Sequence, residues 1–256
     1  MLDYIVGNGL YILCPLVFLA GFLDGSVGGG GLVSVPAYLI AGVPLHTAYG
    51  TNKLVNGVGT VFSMIKYIKT KNILWRLIPV AAAAALIGSQ FGAKLVVIID
   101  EKYCQWVMVA LLPIILAAVV LNKKYFFQIA DRKTQKQPNQ AVNFLVAFAV
   151  GCYDGFFGPG AGTFYLLGFT LFLGIDLVNS AGNTKVVNVV SNFGALAVFI
   201  AGGFVKYDIV LPLILCSMTG NYLGASFAIK RGTKYMLPML AVVIGILFCK
   251  VLFDLL

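Results

Sequence analysis

The sequence predicts an all-α polytopic membrane protein built from two repeats of opposite topology. Of its 256 residues, 60% are hydrophobic and only 11% are charged, whereas about a quarter of the residues in a soluble domain are charged. The apolar residues form long continuous runs, such as 77–99, 107–121 and 211–229. Runs of about 20 apolar residues are typical of transmembrane helices, and they do not show the alternating pattern of an outer-membrane barrel strand.

Four sequence matches in the same order indicate an internal duplication. The matched pairs are GFLDG (21–25) with GCYDG (151–155), the glycines at 28 and 30 with those at 158 and 160, GTNKLVN (50–56) with GNTKVVN (182–188), and GxxxG (88–92) with GxxxG (220–224). Because the second copy gains only two residues between its glycine run and its lysine segment, chance is a poor explanation. The duplication predicts two structurally equivalent halves.

Each repeat contains four apolar segments, of which the first is interrupted by glycines. In the first repeat, residues 1–121, the segments are 9–45, 48–67, 77–99 and 103–121; in the second, residues 141–256, they are 141–175, 182–201, 209–229 and 235–252. Residues 122–140 between the repeats are polar and basic and contain a proline. This composition predicts a solvated linker. Each repeat is therefore expected to have one broken segment followed by three transmembrane helices.

The distribution of basic residues predicts the orientation in the membrane. Lysines and arginines mark the loop at 66–76, the linker at 122–140 and the loop at 230–234 as cytoplasmic, whereas both termini carry an acid and are placed outside. This arrangement requires each glycine-interrupted segment to cross an even number of times, as a re-entrant hairpin or as two short helices. The repeats then have opposite topology, a recurring plan of secondary transporters. The net charge of +9 is thus explained without a nucleic-acid surface.

The glycine runs at 28–31 and 158–162 predict a helix break in each repeat. Broken backbone at membrane depth is tolerated where it is buried in protein or lines a wet cavity. The helix that resumes after each break directs its N–H groups and positive dipole end into that cavity, which favours an anion. The residues predicted to bind substrate through this backbone are Gly30, Gly31, Gly160 and Gly162. Close helix packing through small residues is the alternative, and it is the preferred interpretation for the two GxxxG motifs.

Asp24 and Asp154 precede the two breaks, at the C-terminal end of each entering half-helix. The helix dipole is unfavourable to a carboxylate at this end, so a buried aspartate here needs a proton or a cationic partner. Two roles stay open for this pair. The carboxylates either clamp the backbone freed by the break or couple transport to protons.

A lysine recurs in both repeats with an asparagine three residues later, which places both side chains on one helix face. A hydrogen-bonding residue precedes each lysine and is expected at the same cavity edge. The predicted anion ligands are Lys53, Asn52 and Asn56 in the first repeat and Lys185, Thr184 and Asn188 in the second. An ammonium with neutral amide and hydroxyl donors suits a compact oxyanion. Snorkelling of the lysines to the membrane interface is the alternative.

No other chemistry is indicated by the sequence. The five cysteines are isolated within apolar spans, as expected of packing residues. His46 has no cluster of metal-ligating residues around it in sequence, and nucleotide-binding and nucleophile motifs are absent. The sequence therefore predicts a protein that is not an enzyme and that has no cofactor and no metal site.

The GxxDG segments that begin at Gly21 and Gly151, with their glycine runs and the GxxK segments at Gly50 and Gly182, resemble the sulfite exporter TauE/SafE family. The resemblance covers almost the whole chain. It implies a transporter of sulfite, thiosulfate, organosulfonates or related small anions, of a kind described as exporters in bacterial plasma membranes. The first repeat departs from the family pattern because its four consecutive glycines include no proline.

The predicted function is secondary transport, as an exporter, of a small anion that is held between the two breaks and moved by alternating access. An inside-negative potential drives a monovalent anion outward by ~2.3 kcal/mol per 100 mV, so export without ion coupling is open, as is coupling through protonation of Asp24 or Asp154. The alternatives are a passive anion channel and a cation transporter that uses the same two aspartates. The predicted partners are the anion and the lipid bilayer, without nucleic acid, and a homodimer stays open.

Overall fold

The computed structural model describes residues 9–99, 103, 138–232, 235, 238 and 239, and this part of the chain consists of helices joined by short turns and loops. The helices bounded within this part are α1 (Leu10–Val27), α2 (Gly31–Ile40), α3 (Leu45–Lys69), α4 (Ile78–Ile98), α5 (Gln140–Phe156), α6 (Ala161–Leu173), α7 (Leu177–Ala201) and α8 (Val210–Arg231). Short 3₁₀ turns, Trp75–Leu77 and Tyr207–Ile209, precede α4 and α8. The predicted segments 103–121 and 235–252, most of the linker and both termini lie outside the described residues.

The helix lengths are compatible with a membrane protein that has broken segments. Among the described residues, four helical stretches are long and apolar enough to span a bilayer: Leu10–Val27, Trp75–Ile98, Leu177–Ala201 and Tyr207–Arg231. The helices α2 and α6 have only 10 and 13 residues, which corresponds to about 15 and 20 Å. A hydrocarbon core of about 30 Å is too thick for either of them to cross alone.

Both predicted breaks are present, and both are made by glycine. Gly28 and Gly29 have φ of 84° and 89°, and Gly158 and Gly160 have φ of 85° and 84°. Residues that carry a Cβ rarely adopt such positive φ angles. After the first break the chain returns along α1, since a Cβ on Gly30 would lie only 2.5 Å from the Ala20 carbonyl oxygen. The first repeat therefore breaks without the proline that stands in the second.

The two repeats interdigitate in the packed structure. The helix α1 of the first repeat packs against α8 of the second, and α5 of the second packs against α4 of the first. The long helices α3 and α7 pack against each other at the centre. Each GxxxG motif supports one of these crossings, because Gly220 and Gly224 meet the α1 backbone and Gly88 and Gly92 meet the α5 backbone. The packing role expected for GxxxG is confirmed.

Each repeat also holds the start of the other repeat's long helix. The Asn183 side-chain oxygen on α7 accepts a hydrogen bond from the Leu74 backbone N–H at 2.8 Å. The Thr51 hydroxyl on α3 accepts the equivalent bond from the Lys206 backbone N–H at 3.0 Å. The repeated glycine just before these residues lies directly against the same loop, since a Cβ on Gly50 would overlap the Phe204 carbonyl. The matching sequence segments thus serve one structural purpose twice.

Replacing Gly50 with alanine is expected to destabilise the protein by about 1–3 kcal/mol, because the added methyl group meets backbone that cannot move away freely. Gly57→Ala on the same helix is the matched control, since its Cβ would lie 3.5 Å from the nearest atom and alanine is the better helix former. Melting midpoints of the purified variants in detergent measure the difference. Equal midpoints for the two variants would show that close approach does not require glycine at 50.

Candidate functional site

A small cavity lies between the two glycine breaks and is lined by residues of both repeats. Its lining consists of Asp24, Gly29, Gly30, Gly31, Asn52, Lys53 and Asn56 from the first repeat and Asp154, Gly158, Ala161, Gly162, Asn188 and Asn192 from the second. The cavity has a volume of about 10 Å³, which is about the space of one water molecule. It is therefore too small for a polyatomic anion in this conformation.

The two breaks lie against each other across this cavity. A Cβ on Gly28 would overlap the Gly162 backbone, and a Cβ on Gly31 would lie 3.0 Å from the Pro159 Cα. The Thr163 hydroxyl also donates to the Val27 carbonyl at 3.4 Å. The first turns of α2 and α6 have no side-chain cap. The Leu32, Val33 and Ala161 N–H groups donate to backbone carbonyls of the breaks, so a ligand at the cavity can use only the other N–H groups of these turns.

Two buried ion pairs cross between the repeats at the cavity. The Lys53 ammonium of α3 donates to Asp154 Oδ1 of α5 at 2.6 Å. The Lys185 ammonium of α7 lies 3.8 Å from Asp24 Oδ2 of α1 and donates to the backbone oxygen of the same aspartate. The four residues are only 1–3% exposed, which contradicts the snorkelling alternative for the lysines.

Each aspartate also accepts a hydrogen bond from a hydroxyl on the helix that carries the lysine of its own repeat. The Thr60 hydroxyl of α3 shares its hydrogen between Asp24 Oδ2 at 3.0 Å and the Asn56 carbonyl oxygen at 2.7 Å, and the Ser191 hydroxyl of α7 donates to Asp154 Oδ2 at 2.5 Å. Neither hydroxyl was predicted. The available signal was a helical spacing of two turns from the repeated lysine, which places Thr60 on the lysine's face.

Amide side chains form the remaining polar wall. Asn52 accepts a hydrogen bond from the Ser34 hydroxyl of α2 at 2.6 Å, which ties the short helix to α3. The Asn192 amide donates to Asn188 Oδ1 at 3.2 Å. The buried Asn56 Oδ1 has no hydrogen-bond partner in the part of the chain that the structure describes. Asn192 was missed by sequence reasoning, although it lies one helical turn beyond Asn188.

The structure brings most of the predicted ligands together but not all of them. Lining residues among them are Gly30, Gly31, Gly162, Asn52, Lys53, Asn56 and Asn188. Lys185 lies behind the cavity wall and reaches the site through Asp24, while Thr184 and Gly160 are buried nearby without lining it. Within the described residues, no group of three or more His, Cys, Asp or Glu side chains could hold a metal ion.

Comparison with known proteins assigns the chain to a family. Residues 13–251 match the family described as "Sulfite exporter TauE/SafE". A "Probable membrane transporter protein YfcA" of Escherichia coli (strain K12) is 31% identical, with 96% of this chain and 94% of the relative covered. A "Probable membrane transporter protein ORF9" of Sinorhizobium sp is 33% identical, with 96% and 93% covered.

A further relative, a "Probable membrane transporter protein" of Haemophilus influenzae (strain ATCC 51907 / DSM 11121 / KW20 / Rd), is 30% identical, with 96% of this chain and 95% of the relative covered. No solved structure gives a significant match. The family match and these relatives extend over both repeats and over the residues that build the cavity. The chain is therefore a membrane transporter protein that belongs to the sulfite exporter TauE/SafE family.

Proposed function

We propose that this protein is a secondary transporter of a small anion, such as sulfite, thiosulfate or an organosulfonate, which binds in the cavity between the glycine breaks. The observation that carries the proposal is the buried Lys53 ammonium at a cavity that also offers amide donors and two uncapped helix N-termini. A charge with directed donors around it suits an oxyanion. The family description, which names sulfite, supports this class of cargo.

We further propose that transport proceeds by alternating access between repeats of opposite topology, with both termini outside and the linker at 122–140 cytoplasmic. The exchange of packing partners between repeats supports this scheme, because α1 with α8 and α5 with α4 form equivalent pairs around α3 and α7. The described conformation has space for about one water molecule. An anion therefore enters only when one of these equivalent pairs moves and separates the two breaks on one side.

Counterflow in proteoliposomes tests the proposed function. Vesicles containing the purified full-length protein are preloaded with unlabelled sulfite, thiosulfate, sulfoacetate, taurine or a simple carboxylate. We expect labelled anion to accumulate transiently in vesicles preloaded with a transported anion, because a carrier exchanges its cargo across the membrane. A passive channel equilibrates the label without such an overshoot, and protein-free vesicles report the leak. The absence of counterflow with every anion of this panel would contradict the proposal.

A further inference from the structure

Every charge at the cavity is already balanced by an opposite charge. The Lys53 ammonium pairs with Asp154, and the Lys185 ammonium lies beside Asp24. Two lysines and two ionised aspartates sum to zero, so an entering monovalent anion adds one negative charge that no charged side chain among the described residues of the site balances. Burial of an uncompensated charge is strongly unfavourable. The anion therefore needs a positive charge that enters the site with it.

We propose that the anion binds together with a proton and that Asp24 takes this proton. The inference rests on the proposed anion transport and identifies its coupling ion. Once Asp24 is neutral, two lysines and one remaining carboxylate leave a net charge of +1. A monovalent anion restores neutrality, so the empty site and the loaded site carry the same charge.

The hydrogen bonds of the two aspartates differ, and they favour Asp24 as the proton acceptor. Both carboxylate oxygens of Asp154 are engaged, Oδ1 by the Lys53 ammonium at 2.6 Å and Oδ2 by the Ser191 hydroxyl at 2.5 Å. Charge-assisted hydrogen bonds of this kind stabilise the ionised carboxylate. Protonation of Asp154 would break the shorter of the two ion pairs.

The Asp24 carboxylate is held more loosely and faces the cavity. Its Oδ2 accepts from the Thr60 hydroxyl at 3.0 Å, but it lies 3.8 Å from the Lys185 ammonium, beyond hydrogen-bonding distance. That ammonium donates to the Asp24 backbone oxygen instead, a bond that does not depend on the charge of the carboxylate. A Cβ on Gly162 across the cavity would lie 3.3 Å from Oδ1, so Oδ1 is directed toward the space between the breaks.

The other ionisable groups that face Asp24 come from three elements. Lys53 and Tyr67 on α3 interact with it electrostatically, Lys185 on α7 pairs with it, and Asp154 on α5 lines the same cavity. The neutral residues that face this part of α1 from α8, α2 and α6 are Ser217, Asn221, Gly30 and Gly162. Lysine and tyrosine ordinarily titrate at alkaline pH and aspartate at acidic pH. The two aspartates are therefore the candidate proton acceptors, and the experiment has to distinguish between them.

The proton enters from water on the side to which the cavity is open and leaves to water on the other side with the anion. For a monovalent anion, the loaded carrier moves no net charge, so a pH gradient drives it and the membrane potential does not. The carrier runs toward the side where the product of proton and anion activities is lower. It therefore exports the anion when the outward anion gradient is larger than the inward proton gradient.

The test uses full-length protein in vesicles that contain the pH dye pyranine, with the labelled monovalent anion of the panel that counterflow selects. In vesicles with the wild-type protein, we expect the rate of anion uptake to rise about tenfold for each pH unit of external acidification on the alkaline side of the midpoint. The vesicle interior is expected to acidify in parallel. In Asp24→Asn, we expect labelled anion still to exchange, without the internal acidification and without the pH dependence. In Asp154→Asn, exchange that remains is expected to keep its pH dependence.

A second pair of variants tests the same assignment without removing a charge. Thr60→Val deletes a hydroxyl within hydrogen-bonding distance of Asp24 Oδ2, so the midpoint of the pH profile is expected to move toward higher pH, by up to about one unit. Ser191→Ala deletes the equivalent hydroxyl at Asp154 and is expected to leave the midpoint in place. The assignment would be overturned if the midpoint shifted in Ser191→Ala and not in Thr60→Val, or if Asp24→Asn still moved protons with the anion. Counterflow of the wild type without any proton movement would overturn the coupling and leave anion transport standing, whereas no counterflow at all would contradict the proposed function itself.

Discussion

Replacing Lys53 with methionine is expected to lower anion counterflow more than about 100-fold, because the proposed anion site loses the ammonium that lines the cavity and the charge-assisted hydrogen bond expected from it. The same change leaves Asp154 buried without its cation, since the two groups are 2.6 Å apart and almost inaccessible to solvent. Breaking a buried pair from one side destabilises a protein by about 3–5 kcal/mol. The melting midpoint is therefore expected to fall together with transport.

A double variant separates these two effects. Lys53→Met combined with Asp154→Asn removes both charges, so the melting midpoint is expected to recover most of its loss while counterflow stays at background. Lys206→Met is the matched control, because Lys206 pairs with Asp208 at 4.0 Å near the surface, where that aspartate is 63% exposed and such pairs contribute about 0–1 kcal/mol. If the double variant transported cations, or kept anion counterflow, Lys53 would not be the anion's ligand.

The second large effect is expected at the contact between the two breaks. Gly28→Ala is expected to lower both the melting midpoint and counterflow, because Gly28 has φ of 84° and its Cβ would overlap the Gly162 backbone. A left-handed conformation costs a residue with a side chain about 1–2 kcal/mol, and overpacking adds about 1–3 kcal/mol. The added methyl group would hold the two breaks apart and would therefore destabilise the conformation in which they are in contact.

Gly42→Ala is a control for the backbone conformation alone. Gly42 has φ of 79°, but a Cβ there would meet nothing within 4 Å. We expect Gly42→Ala to show only the conformational cost and to retain counterflow. Equal losses in the two variants would mean that the contact between the breaks has no role beyond the strain of the turn.

The helices and the breaks were predictable from the sequence because their causes are local. Apolar runs of about 20 residues form helices in a membrane wherever they occur, and the predicted segment 77–99 became α4 at Ile78–Ile98. Glycine at 28 and 158 adopts positive φ in both repeats, so the break needs no proline. The internal duplication was also recognisable from the sequence, since four pairs of matching segments occur in the same order in the two repeats.

The partners of the charged residues were not predictable, because they join positions far apart in the chain. Lys53 and Asp154 are 101 residues apart, and spacing along one helix says nothing about which acid in the other repeat lies opposite. For the same reason, the equal treatment of the two lysines was too simple. Lys53 lines the cavity, whereas Lys185 is turned to the end of α1.

The sequence by itself determined a helical membrane protein made of two matching halves, each broken at a glycine run that follows an aspartate. Composition and local backbone preference are sufficient for this, since they act within a few residues. Only the tertiary structure decided that the halves interdigitate, that the ion pairs cross between them, and that Asp24 rather than Asp154 has the looser surroundings. The interdigitation depends on how α1 meets α8 and how α5 meets α4, and the ion pairs depend on how α3 faces α5 and how α7 faces α1. Distances across such interfaces are set by packing rather than by position in the chain.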